Sequence, residues 1–386
     1  MIYLDNASSS WPKPRKVAQA VGDWIEHHGA NAGRASHRMA RETEGMISRT
    51  RKQIANLIGA EHGDQVALLQ NVTEAINLAL CGLLEQGDHV ISTGLTHNSV
   101  RRPLAHLEEQ GVCISRVPIR SNSWIKDIEA NLRTTTRMIL VTHGSNVTGE
   151  VLPLNDLMEW LRTLRKRSRE PFVLVDAAQT AGHIDINVQE QGIDLLAFTG
   201  HKGLYGPQGT GGLYLAPDLL LQPLLLGGGG GNAESKYAPM VGPERYEAGT
   251  RNAPGIAGLA EGVRFVLDSG LDQLLAHEMK LLSPLKESLM ELKGVRILGD
   301  SHTNMHVPLL SFTMEGYQSS ELALLLDRRY DIAVRAGLHC APDAHDDQGT
   351  TKSGGAVRIS LGAFNTAEEI ESCILALKEL HDEIVW

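Results

Sequence analysis

Leu195-Leu196-Ala197-Phe198-Thr199-Gly200-His201-Lys202, continued by Gly203-Leu204-Tyr205-Gly206-Pro207-Gln208-Gly209-Thr210-Gly211-Gly212, carries an apolar run into a lysine and the lysine into a glycine-rich turn. Upstream, Phe172-Val173-Leu174-Val175 ends in Asp176-Ala177-Ala178-Gln179. One apolar run closes on an acid and the next on an amine. Short apolar runs bounded by turn residues read as buried strands. A carboxylate and an amine at the ends of such strands are costly unless a charged species lies between them.

Working outward, further apolar runs alternate with amphipathic stretches. Val66–Leu69, His89–Ser92, Met138–Thr142 and Gly212–Leu215 read as strands, and Thr73–Leu84 and Leu154–Lys166 as helices. Strands alternating with helices predict an α/β fold with a mainly parallel central sheet and helices on both faces. Ligands of such sheets sit beyond the strand C-termini, where Asp176 and Lys202 fall. From about Glu261 the pattern changes to a long helical stretch, short strands at Leu309–Phe312 and Ala356–Ser360, and a terminal helix. The expected division is a large α/β domain over 15–260 and a smaller α+β domain over 1–14 and 261–386. The five glycines at 227–231 read as a loop, not a phosphate cradle, since no Gly-Lys-Ser/Thr follows.

The 386 residues are 42% hydrophobic, enough for a substantial core, and 36 basic against 46 acidic residues give a formal charge of −10. That balance argues against nucleic acid or an anionic membrane as partner. No apolar stretch approaches a membrane span. Met1-Ile2-Tyr3-Leu4-Asp5-Asn6 has no basic segment leading into an apolar one, so no signal peptide is expected. Four widely spaced cysteines, Cys81, Cys113, Cys340 and Cys373, predict reduced thiols and a cytoplasmic protein.

Pyridoxal 5'-phosphate is a species that would reconcile Asp176 with Lys202. Its ring nitrogen pairs with an acid, its aldehyde forms a Schiff base with a lysine, and its phosphate needs backbone donors. Asp176 alone would read as a helix N-cap, and Lys202 alone as a solvated surface lysine; together they favour the cofactor. Gln179 lies within reach of the ring hydroxyl. Thr73 and Glu74 open a helix after a strand, a place suited to phosphate, and Thr199 and His201 are further donors. His97, just past a strand end, offers a flat ring for stacking. Cys340 lies between Gly337 and Pro342, in a loop where a nucleophile can move, while Cys81 and Cys373 fit apolar helices. A free thiol of pKa ~8.5 is only a few per cent thiolate at neutral pH, and His339 and Arg335 would raise that fraction. Arg358 offers a bidentate clamp for a substrate carboxylate.

With these motifs in order, the chain resembles the pyridoxal-phosphate-dependent cysteine desulfurases of the class V aminotransferase superfamily, close to selenocysteine lyases. The resemblance runs through Tyr3-Leu4-Asp5-Asn6-Ala7, Thr73–Asn77, His97, Ser145–Gly149, Asp176–Gln179, Gly200-His201-Lys202, Glu247-Ala248-Gly249-Thr250 and Arg335–Cys340. It implies a fold-type I transferase with Lys202 as the imine lysine, Asp176 on the pyridinium and Gln179 on the ring hydroxyl. It also implies His97 stacked on the ring, Asn146 near cofactor and substrate, and Thr73, Thr199 and His201 on the phosphate. Thr250 resembles a phosphate ligand supplied by the other subunit, which implies a homodimer. Arg358 and His37 fall on the substrate side, and Cys340 resembles the thiol that takes sulfur from L-cysteine as a persulfide. The persulfide would pass to an acceptor protein for iron–sulfur cluster or other thio-cofactor assembly. Gly33, where many relatives have histidine before Arg34, and the acidic 343–355 segment depart from the pattern. Selenocysteine lyase, cysteine sulfinate desulfinase and another class V enzyme stay open as alternatives. So does, in a different class, a metal-binding protein using His339, Cys340, His345, Asp346 and Asp347, against which the His-Cys spacing speaks.

Overall fold

The apolar runs become strands because each alternates its side chains between two separate cores. Ile91, Ile139, Val141, Val173, Val175, Leu196 and Phe198 face one apolar cluster. Val90, Met138, Leu140, Leu174, Leu195 and Ala197 face the other. A sheet buried on both faces needs no polar position, hence the unbroken runs. The structure is a computed structural model and describes residues 1–32, 37–119, 123–165, 169–228, 235–237, 239–299 and 305–384. Gly33, Arg34 and most of the glycine run lie outside the described residues.

The strands are β1 Ile2–Tyr3, β2 Val66–Leu69, β3 His89–Thr93, β4 Cys113–Val117, β5 Thr136–Thr142, β6 Phe172–Asp176, β7 Leu195–Thr199, β8 Gly211–Leu215, β9 Val295–Ile297, β10 Leu309–Met314, β11 Ile332–Ala333, β12 Arg335–Gly337 and β13 Ala356–Ser360. The helices are α1 Arg15–Asp23, α2 Arg38–Leu57, α3 Val72–Leu83, α4 Asn98–Glu109, α5 Trp124–Ala130, α6 Leu154–Leu164, α7 Val188–Gln191, α8 Ala253–Ser269, α9 Leu271–Glu291, α10 Ser319–Tyr330, α11 Pro342–Asp347 and α12 Ala367–Asp382.

The seven-stranded sheet has the order β2-β8-β7-β6-β5-β3-β4. From β4 to β7 all neighbours are parallel, and β8 runs against both β7 and β2. Helices α2 and α8 cover one face through Ile47, Ile54, Ile256 and Val263. Helices α3 and α4 cover the other through Ile76, Leu80, Val100 and Leu104. After β3 the chain first places β4 on one side and then builds β5, β6 and β7 on the other. That reversal opens a crevice at the strand C-termini, the place where such sheets take ligands.

An antiparallel sheet of order β12-β13-β10-β9 packs under α9, α10 and α12 around Phe312, Ile359, Leu326 and Leu377. The N-terminus joins it: β1 pairs with β11, and Asp5 bridges to Ser360. Helix α8 runs unbroken through Glu261 and still packs on the large sheet at Val266. The break in direction comes at Gly270, φ 80°, between α8 and α9.

Candidate active site

Lys202 leaves the end of β7 on a turn that only glycines allow. A Cβ on Gly200 would lie 2.2 Å from Thr210 Oγ1, and one on Gly182 would lie 2.3 Å from the carbonyl oxygen of Gly203. The lysine turn is thereby pressed against the turn that follows Asp176. Lys202 keeps part of its surface open to solvent, yet its amine is deeply surrounded by protein. Burial first, and the Arg358 charge second, lower its pKa to about 8, against opposing pulls from Asp176, Asp5 and Cys340. Asp176 is buried at the end of β6 and accepts the Ala178 N–H at 3.0 Å. Burial raises its pKa, and the Ala178 N–H and Lys202 pull it back. Gln179 is buried and donates through Nε2 to the Ala7 carbonyl, 3.1 Å.

Two donors expected from the lysine strand stand without partners. Thr199 Oγ1 and His201 Nδ1 are buried and make no hydrogen bond. Burial lowers the His201 imidazole to about 4, so it is neutral. Across the crevice, Asn71 caps α3 by accepting the Glu74 N–H at 3.0 Å. The Glu74 carboxylate accepts the Gln70 N–H at 2.7 Å and so belongs to the local cap. Thr73 is exposed on the first turn, and the Val72 and Thr73 amides find no acceptor among the described residues. Thr250 is exposed on a turn anchored by Glu247, which receives Arg51 and, at 2.6 Å, the Leu68 N–H. Thr250 and Glu74 line a cleft of about 230 Å³ to which Lys202 and Asp176 do not contribute.

His97 caps α4: Nδ1 accepts the Ser99 N–H at 3.0 Å, which leaves the hydrogen of the neutral ring on Nε2. Burial and the charges of Lys202, Arg358 and Arg102 lower its pKa to about 4. Arg358, buried on β13, donates to Asn146 O at 3.0 Å, Asp5 Oδ1 at 3.0 Å and Ser8 Oγ at 2.8 Å. Its Nε is buried and unpartnered. Asn146 Nδ2 donates to the His339 carbonyl at 2.7 Å, and the Asn98 N–H donates to the Cys340 carbonyl at 2.7 Å. The cysteine turn is thus tied both to the segment after β5 and to the start of α4. Cys340 itself is exposed, with φ 57°.

Lys202, Asp176, His97, Arg358, Asn146 and Cys340 therefore meet around one crevice. His37 does not join them by any contact described: it caps α2, accepting the Ala40 N–H at 3.3 Å. His339 and His345, considered above as metal ligands, hydrogen-bond to each other. The reading from sequence missed Asp5 and Ser8 as the groups that hold Arg358. The available signal was that a buried guanidinium requires a carboxylate, and Asp5 stands in the first motif of the chain.

Known proteins resemble this chain over nearly its whole length. The family model Aminotransferase class-V matches residues 2–373. The probable cysteine desulfurase of Methanothermobacter thermautotrophicus is 33% identical over 387 residues, covering 98% of this chain and 94% of the relative. The probable cysteine desulfurase of Pyrococcus abyssi is 32% identical, covering 98% and 94%. Among solved structures, the apo cysteine desulfurase of Thermococcus onnurineus NA1 superposes with a TM-score of 0.89 at 30% identity, covering 99% of this chain and 95% of that one. The cysteine desulfurase CsdA of Escherichia coli gives 0.86 at 26% identity, covering 99% and 95%.

Proposed function

The chain belongs to the class-V aminotransferase family, and from that premise we propose that it is a pyridoxal-phosphate-dependent cysteine desulfurase, converting L-cysteine to L-alanine and taking the sulfur onto Cys340 as a persulfide. The observation that carries this is the exposed Cys340 on a turn fastened to Asn146 and Asn98, within the electrostatic reach of Lys202 and Arg358.

The residues present fit the cofactor. Thr199 Oγ1 and His201 Nδ1 are buried polar atoms in want of a partner, and the first amides of α3 are unsatisfied donors, a set suited to a phosphate. Asp176 would hold a proton at the ring nitrogen, Gln179 would contact the ring hydroxyl, and His97 would stack. When bound, pyridoxal phosphate supplies an aldehyde that takes up an amino group and a ring that spreads the electron pair left by a departing α-proton. Lys202, with its pKa lowered to about 8, is about one-tenth neutral at pH 7 and can accept that proton at Nζ. Arg358 offers its free Nε to the substrate carboxylate, and Asp5 and Ser8 hold the guanidinium through Nη2. Cys340 Sγ, as thiolate, forms a bond to the substrate sulfur while the Cβ–S bond breaks. The electron pair stays on carbon, which gains a proton to become the methyl group of alanine.

A homodimer belongs to this proposal, with Thr250 serving the phosphate end of a second copy's site. The exposed Leu225, Leu226, Met240 and Val241 near that turn support burial against another chain. The small domain is proposed to begin at Gly270 and to include the N-terminal strand. Among the described residues no helix is long and apolar enough to cross a membrane; a cytoplasmic location and transfer of the persulfide to an acceptor protein are further parts of the proposal. Incubation with L-cysteine and a reductant should yield alanine and sulfide in equal amounts. Alanine without sulfide, or neither, would overturn the assignment.

A further inference from the structure

Behind the cysteine turn lies a chain of buried polar groups that the reaction above does not use. His345, on α11, is wholly buried. Its Nδ1 is 2.7 Å from Thr350 Oγ1 and its Nε2 is 3.1 Å from His339 Nδ1. The Thr350 hydroxyl donates to the His345 carbonyl at 3.3 Å. Giving that hydrogen to the carbonyl assigns Thr350 Oγ1 as the acceptor of His345 Nδ1–H. His345 Nε2 then carries no hydrogen and accepts from His339 Nδ1–H. The chain ends at His339 Nε2, bare, buried and without a hydrogen-bond partner. The charges acting on these rings are Arg358 and Arg335 on His339, and Asp346 on His345. At His339 burial and the two guanidinium charges act together to lower the pKa against the Arg335 backbone hydrogen bond, and at His345 burial outweighs Asp346, so both imidazoles are neutral.

The turn above this chain is strained. His339 and Cys340 stand in succession at φ 49° and 57°, a region that residues with a Cβ adopt only when their surroundings hold them there. The carbonyls of both are tied down by Asn146 and Asn98. The His339 ring is held by His345 and by a hydrogen bond to the Arg335 backbone.

We propose that His345 is a positioning residue for the sulfur-accepting turn: it holds His339 as the Nδ1–H tautomer and locks the left-handed pair that presents Cys340 to the crevice. The inference rests on Cys340 as sulfur acceptor, but one arm of its test does not. Without the lock the turn no longer fixes where the thiol stands in the crevice.

The test compares holoenzyme of the wild type with His345→Leu, which removes the acceptor, and His345→Gln, which restores one opposite His339 Nδ1. The first arm measures alkylation of Cys340 by iodoacetamide against pH, with no substrate present. The second measures kcat and KM for L-cysteine. H345L should displace the alkylation profile by about half a pH unit or more. It should also lower kcat about tenfold with KM and the cofactor absorbance unchanged. H345Q should recover most of both. Thr350→Val should shift the profile in the same direction by less, and it decides the matter if H345L does not fold. A wild-type profile and kcat in H345L, or H345Q as impaired as H345L, would overturn the proposal. A wild type without desulfurase activity whose alkylation profile still responds to H345L would leave the lock standing and remove the desulfurase reading.

Discussion

Two turns face each other across the crevice, and they are built on opposite principles. The lysine turn follows a central strand of the large sheet and is packed so closely that glycines are required at Gly182 and Gly200. The cysteine turn follows β12, a short edge strand of the small sheet. It lies open to solvent and is held by hydrogen bonds from Asn146, Asn98 and His345. Tight burial serves the amine because it favours the neutral form. In the proposed function exposure serves the thiol, which would meet a substrate and then give up what it has taken. One site thus joins a group tuned by exclusion of water with a group that needs access to it.

The comparison breaks first at the lysine. Lys202→Ala should lower kcat by about 10³-fold or more, beyond the loss of an ordinary general base, and borohydride should no longer fix the cofactor to the chain. A variant retaining a tenth of the activity would mean that this amine is not the proton carrier. Cys340→Ser should lose at least about 10²-fold in sulfide release while the protein stays yellow; full release would place sulfur uptake elsewhere. Arg358→Lys should reduce kcat/KM for L-cysteine about 10- to 100-fold, the range expected for losing a charged hydrogen bond of about 1.5–3 kcal/mol. An unchanged value would remove the carboxylate clamp.

Burial of the amine also has a sign in pH. In the apo protein Lys202 is lowered from 10.5 to about 8, so between those values the unfolded chain binds more protons than the folded one. Stability then rises with pH through that window, and the full penalty applies below about 8. Apo Lys202→Met should melt above the apo wild type at pH 7, and the gap should close as pH rises through the window. A constant gap would show that the amine is not disfavoured as a cation. The smallest effect separates the two kinds of cysteine. Cys373 is fully buried in α12, and burial pushes its thiol up to about 12. Cys373→Ser should cost about 1–3 kcal/mol of stability by burying an unpartnered hydroxyl and leave turnover unchanged; lost activity at native stability would contradict the division.

The strand ends were readable because a doubly buried parallel sheet writes itself as unbroken apolar runs, and Asp176 and Lys202 interrupt two of them. The orientation of β8 was not readable, since an apolar run carries no direction. Strand β4 escaped because it is an edge strand with Cys113 and Arg116 exposed between buried positions. At the acidic 343–355 segment Pro342 opens a short helix whose Ala344 and His345 are buried, and its polar composition does not mark them as core. The pairing of Arg358 with Asp5 spans almost the whole chain, and no local pattern announces such a contact. The Thr350–His345–His339 relay depends on ring orientations that only packing sets.

The most direct test of the account is the state of Cys340 after L-cysteine is added. Holoenzyme treated with L-cysteine without reductant, then trapped with an alkylating agent and digested, should carry one extra sulfur atom on the Cys340 peptide and on no other cysteine. Alanine formed while the Cys340 peptide keeps its original mass, with the extra sulfur absent or on another cysteine, would contradict it.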